Sequence, residues 1–219
     1  MAGLDYAGHC RPALGVGGDY YDFVALEDGS LGIAIGDVSG KGIAAALLMA
    51  SLQASLRGQT IAGAADLAGL MRNVNRLVYE SSSSNRYATF FFARYEPDRR
   101  SLTYVNAGHN APMVLRGAEV IRLEDGGPVV GLFAGASYAQ SSASLAPGDV
   151  LIAFTDGISE AMNAADEEWG ETGLLDAARA CVALRAAEII GRLMEAADAF
   201  AAGAPQHDDM TVVVAKVAG

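Results

Sequence analysis

Apolar residues recur at two different periods along this chain, and the changes of period divide it into strands and helices. Leu31-Gly32-Ile33-Ala34-Ile35 alternates at period two and runs into Asp37, which predicts a strand. Residues 20–26 form another candidate strand, with the turn signal Glu27-Asp28-Gly29-Ser30 between the two. After Gly42 the pattern changes: residues 43–57 are rich in Ala and Leu with few polar positions, and predict a largely buried helix. A second helix starts behind the candidate N-cap Asp66. Leu67, Leu70, Met71, Val74, Leu77 and Val78 fall at helical spacing there, with Arg72, Asn73, Arg76 and Glu80 on the other face.

Residues 81–84 read as a polar connecting loop. Residues 88–95 and 101–106 predict a hairpin around Pro97-Asp98-Arg99-Arg100, and shorter strands follow near 112–115 and 119–123. Residues 124–148, rich in Gly, Ser and Ala, show no clear period. Then come an apolar run at 150–154, a short helix at 174–180 and a longer helix at about 185–200. Ile189, Ile190, Leu193, Met194, Ala197 and Phe200 share one stripe of that helix, and a last strand covers 211–215. With no internal repeat or interdomain linker, residues 1–219 read as a single α+β sandwich domain.

Four aspartates sit at the edges of the apolar runs. Asp19 lies in Gly17-Gly18-Asp19-Tyr20-Tyr21-Asp22, and Asp37 in Gly36-Asp37-Val38-Ser39-Gly40-Lys41-Gly42. Asp156 lies in Phe154-Thr155-Asp156-Gly157, and Asp208 in His207-Asp208-Asp209-Met210-Thr211. If Leu26 pairs with Leu31, the antiparallel register sets Asp19 opposite Val38, beside Asp37. Two of the carboxylates follow strands and two precede them, so suitable antiparallel pairing would gather all four at one rim. Unrelated turn aspartates in solvent are the plainer reading, since Asp is at home in turns. Gathered carboxylates, in contrast, need a positive charge between them, because buried unpaired charge is costly. Hard oxygen ligands of this kind suit Mg²⁺ or Mn²⁺.

Bulk properties narrow the classes. A chain of 219 residues with 52% hydrophobic residues can bury a substantial core and does not read as disordered. Its formal net charge of −11 argues against a non-specific binder of nucleic acid or anionic membrane, whose footprint is basic. Cys10 and Cys181, far apart, offer neither a disulfide framework nor a zinc spacing, and read as thiols of a reducing compartment. The start lacks a secretion signal and residues 43–52 are too short to span a bilayer, so a cytoplasmic protein with no direct membrane insertion is expected. The chain opens almost directly into a strand, as a domain excised from a longer regulatory protein would, and as a complete short chain would too.

Other phosphate-handling motifs fail. Residues 36–42 superficially resemble a P-loop but lack four residues between the glycines, and Gly42 stands where Ser or Thr is needed. Gly15-Val16-Gly17 has no third glycine at the dinucleotide-binding offset. No Gly-x-Ser-x-Gly elbow is present.

The motifs around the four aspartates, together with Asn106-Ala107-Gly108-His109-Asn110-Ala111-Pro112 and Pro147-Gly148-Asp149, occur in the order of a known family. The chain resembles the SpoIIE/RsbU branch of the PPM (protein phosphatase 2C-like) metal-dependent serine/threonine phosphatases. The likeness implies an αββα sandwich, two antiparallel sheets flanked by helices, with two Mn²⁺ or Mg²⁺ ions at one end. By motif match Asp37 would bridge both ions and the Val38 carbonyl would help hold one. Asp156 and Asp208 would hold the other, and Asp19 would bind directly or through water. Asp22 and Asp209 read as supporting carboxylates. Two metals some ~3.5–4 Å apart would activate water and neutralise charge at phosphorus, with no covalent phosphoenzyme.

The sequence departs from the eukaryotic pattern at one position. Ser39 stands where those relatives carry a histidine, so the leaving-group acid is open between Ser39, His109 and a metal-bound water. His109 also reads as a turn histidine bonding nearby backbone, and Lys41 as either a substrate-phosphate contact or a solvated helix-start lysine. The resemblance further implies a phosphorylated protein substrate, an anti-sigma-factor antagonist of the STAS type, and an upstream sensory or dimerisation domain. The helices at 43–57 and 67–80 are expected to receive its signal, because the first starts directly after the Asp37 motif. A catalytically silent regulatory module of the same fold is the alternative.

Overall fold

A computed structural model describes residues 1, 3–61, 63–82 and 86–218. One sheet contains β1 (Leu4–Arg11), β6 (Met113–Arg116), β7 (Glu119–Arg122), β10 (Val150–Phe154) and β11 (Met210–Val217), in the order β1-β11-β10-β6-β7. The other runs β2 (Tyr20–Ala25), β3 (Leu31–Val38), β4 (Ala88–Glu96), β5 (Ser101–Ala107) and β8 (Gly126–Gly127), with β9 (Ser141–Ser144) also paired to β5. All pairings are antiparallel except β5 with β8. Helices α1 (Ile43–Thr60) and α2 (Leu67–Ser81) cover the second sheet. Helices α4 (Gly170–Cys181) and α5 (Ala186–Ala201) cover the first, and a single turn, α3 (Asp156–Ser159), follows β10. The layers are α, β, β, α.

Both sheets are buried on both faces, which explains why several strands read as continuous apolar runs. In β4, Phe90 and Phe92 pack under α1 and α2 while Phe91 and Ala93 point between the sheets. In β11, Val212 and Val214 face α5 while Val213 and Ala215 face the other sheet. Strand alternation sorts every residue of these runs into one of two dry interfaces, so polar substitution on either side is excluded. No helix among the described residues is long and apolar enough to cross a membrane.

The structure corrects four details of the sequence reading. Register is the first: Ala25 pairs with Leu31 and Tyr20 with Gly36, so continuing one step sets Asp19 opposite Asp37 and not Val38. The cause is a tighter loop. Leu26 N–H donates to the Ser30 carbonyl at 3.0 Å, leaving Glu27-Asp28-Gly29 as a three-residue hairpin loop with Gly29 at φ 80°.

The second is α1, which is not largely buried. Ala45, Leu48, Leu52 and Leu56 face the sheet, but Ile43 and Leu47 are 74% and 68% exposed, because the helix is an outer layer with one covered face. Third, α2 extends through Ser81; Ser82 follows as its C-cap, and positions 83 and 84 of the expected polar loop lie outside the described residues. Last, α4 starts four residues before the predicted helix. Asp66 caps α2 as expected, accepting from the Gly69 N–H at 2.8 Å.

Candidate metal centre between the two sheets

One rim of the sandwich is built from the start of β2, the end of β3, the end of β10 and the start of β11. It therefore brings together Asp19, Asp37, Asp156 and Asp208, with Asp209 beside them. Hydrogen bonds across the two sheets lock the rim. Thr155 Oγ1 donates to Asp19 Oδ2 at 2.7 Å, and the same oxygen accepts the Thr211 N–H at 3.0 Å. Asp209 accepts the Gly18 N–H at 2.7 Å and the Ala13 N–H at 2.8 Å, which holds the 13–18 loop against the first sheet. Gly157 is required there: a Cβ on it would lie 2.1 Å from the Asp209 carbonyl oxygen. The Val38 carbonyl points into the same space, 2.9 Å from where a Gly18 Cβ would stand.

The electrostatics of the rim are those of crowded anions. Burial, then the charges of Asp37 and Asp209, push the Asp19 carboxyl up to about 8. Burial, then the charges of Asp156 and Asp208, push Asp37 up to about 7. Asp156 is raised by burial and by Asp208, and Lys41 partly offsets this. Glu160 is raised by burial, then by the charges of Asp156, Glu168 and Asp208.

The donor set is all carboxylate and carbonyl oxygen with excess negative charge, which fits hard divalent cations. As placed, no three His, Cys, Asp or Glu side chains among the described residues close on a single point. Asp208 is instead turned to Lys41, whose Nζ lies 2.9 Å from Asp208 Oδ2 and also donates to the His207 carbonyl.

The other residues singled out from sequence lie elsewhere or are already engaged. His109 is buried behind Asp37. Its Nδ1 is 2.9 Å from Oγ1 of Thr89, the strand partner of Asp37, and its backbone N–H donates to Asn106 Oδ1 at 2.7 Å. Burial lowers its imidazole to about 4, so the ring is neutral, and its Nε2 is buried with no hydrogen-bond partner among the described residues. Ser39 extends the β3–β4 ladder: its N–H donates to the Tyr87 carbonyl at 2.9 Å and its Oγ accepts the Tyr87 N–H at 3.1 Å. Asp22 is bonded by Tyr20 and Arg57, away from the rim acids.

Sequence reasoning assigned no role to Thr155 and did not foresee the Lys41–Asp208 pair. A threonine directly before a strand-end aspartate was a usable signal for the first. The second joins loops near opposite ends of the chain and left none.

The sequence profile of the family described as Stage II sporulation protein E (SpoIIE) matches residues 27–218. Phosphoserine phosphatase RsbU of Bacillus subtilis is 33% identical over 159 residues, covering 72% of this chain and 47% of RsbU. The structure of the RsbU and RsbW domains of Rv1364c from Mycobacterium tuberculosis matches 99% of this chain and 60% of that one, at 26% identity and a TM-score of 0.82. The catalytic domain of the serine/threonine phosphatase PstP, in complex with two manganese ions, matches 99% of both chains at 20% identity and a TM-score of 0.73. The chain spans 36–47% of the length of the relatives matched by sequence.

Proposed function

The chain belongs to the SpoIIE family of PP2C-type phosphatase domains, and on that premise we propose that it hydrolyses phosphoserine or phosphothreonine esters of a protein substrate. One observation carries the reading: aspartates from four separate strand ends meet across the two sheets, and burial with the neighbouring charges raises the carboxyls of Asp19, Asp37 and Asp156. Asp37, the Val38 carbonyl, Asp156 and Asp208 would hold two Mn²⁺ or Mg²⁺ ions, with Asp19 beside Asp37. The ions supply water activation and neutralisation of the phosphoryl charge. The metal-bearing structure of PstP supports this stoichiometry.

The chain's own residues position these groups. Thr155 orients Asp19, Asp209 fixes the 13–18 loop, and Lys41 is half-exposed beside Asp208, within reach of an incoming phosphate. Neither His109 nor Ser39 is needed as an acid, because both are held by structural partners.

Similarity to RsbU, and to an RsbU domain that shares a chain with an RsbW domain, supports a place in partner switching. The substrate would then be a phosphorylated anti-sigma-factor antagonist of the STAS type. An upstream sensory or dimerisation segment would act through α1, whose exposed Ile43 and Leu47 suit such a contact. The test is phosphate release from a phosphoserine peptide with Mn²⁺ and after chelation. Turnover that requires the metal is expected; turnover indifferent to a chelator contradicts the mechanism.

A further inference from the structure

Beside the acidic rim lies a cavity of about 120 Å³, between α3, the end of α5 and the 202–209 loop. Lys41 and Asp208 form the wall it shares with the rim. Its floor is apolar, made by Ala161, Ala197, Ala201 and Met210. The cationic groups around it are already engaged within the protein, while Glu160 adds a carboxylate to its edge. Arg11 is bonded to Asp198 at 2.7 and 2.8 Å and to Gln206 at 2.9 Å, and Lys41 to Asp208. An acidic guest would have to displace those partners, whereas an aliphatic guest would not.

The loop that closes the cavity is fixed in place. Ala202 ends α5 in the left-handed conformation at φ 50°, and the Ala204 N–H turns back to the Ala201 carbonyl at 2.9 Å. Gln206 Nε2 then donates to the carbonyls of Arg11 and Asp208 at 2.8 and 2.7 Å. A preformed apolar pocket of this size holds one side chain without ordering cost on the protein side.

We propose that this cavity is a substrate subsite that receives an aliphatic side chain one or two residues from the phosphorylated serine. The proposal rests on the phosphatase reading above. Its spacing follows from the shared wall: Asp208 borders both the rim and the cavity, and successive residues of an extended peptide advance by about 3.3–3.6 Å. With the phosphate at the rim, a neighbouring side chain lies over the cavity. The paired Arg11 and Lys41, with the Glu160 carboxylate at the edge, make it selective for carbon over an acid.

The test uses this chain with Mn²⁺ and phosphoserine peptides carrying Leu, Gly or Asp at each of the two positions on either side of the phosphoserine. At one position Leu should exceed Asp in kcat/KM by roughly ten-fold or more. Ala201→Phe, which fills the cavity from the half-exposed end of α5, should bring that ratio close to one. Equal turnover of all peptides by the unsubstituted chain, or a preference for Asp, would overturn the subsite and leave the phosphatase standing. Hydrolysis of no peptide and of no aryl phosphate would overturn both.

Discussion

Asp19 stands across the hairpin of β2 and β3 from Asp37, one step beyond the Tyr20–Gly36 pair, and burial together with the charge of Asp37 raises the Asp19 carboxyl. Burial of both groups retains a proton there well above the usual carboxylate range. A divalent cation placed between them removes the need for that proton. The pair therefore couples folding, pH and metal binding at one point.

Metal-free protein should lose stability as pH rises. A carboxyl group with a raised folded-state pKa binds its proton more tightly when folded, so its contribution is full below the ordinary value of 3.8. That contribution is lost progressively up to about 7 for Asp37 and about 8 for Asp19. Thermal unfolding followed from about pH 5 to about pH 8 with chelator should show a falling Tm. Mn²⁺ should restore the Tm most at the alkaline end, and Asp19→Asn should flatten the profile.

Lys41 competes with any cation for Asp208. Both partners are half exposed, so the pair is worth at most about 1 kcal/mol. Lys41→Met should tighten Mn²⁺ binding by roughly two- to five-fold in calorimetry, without loss of fold. Weaker binding would instead show that Lys41 holds Asp208 in its metal-ready position.

Asp209 is structural in this account. Asp209→Ala strands the buried Gly18 N–H, frees the part-buried Ala13 N–H and should cost about 2–4 kcal/mol in urea unfolding. Asp209→Asn, which keeps one acceptor oxygen, should cost about half as much.

How far the sequence could be read follows from which forces are local. Asp66 in front of an amphipathic α2, and the apolar runs of β3, β10 and β11, announce themselves because capping and periodicity act within a few residues. The gathering of Asp19, Asp37, Asp156 and Asp208 followed from which ends of those runs they occupy. The register slipped by one because a single left-handed residue, Gly29, shortens the loop, and composition alone does not separate a three-residue from a four-residue turn.

The exposure of Ile43 and Leu47 was hidden because alanine fills both faces of α1 and blurs its periodicity. Residues 124–148 stayed opaque because side chains at long range hold them. Asn75 binds Gly131 and Phe133, and Gln140 caps α2 through the Leu67 N–H. β9 has only serine and alanine to show.

His109 should prove to be a support for the turn behind Asp37. His109→Gln should lower stability by about 1–3 kcal/mol while kcat on an aryl phosphate stays within roughly three-fold. A fall of about 100-fold or more in kcat at unchanged stability would put the imidazole in the reaction.

The most direct test of the central claim is a Mn²⁺ titration by calorimetry on the unsubstituted chain and on Asp37→Asn, with phosphate release followed in the same samples. The account predicts metal binding that rises in step with turnover and that disappears, together with turnover, in Asp37→Asn. Turnover without bound metal, or equal metal binding by Asp37→Asn, would contradict it.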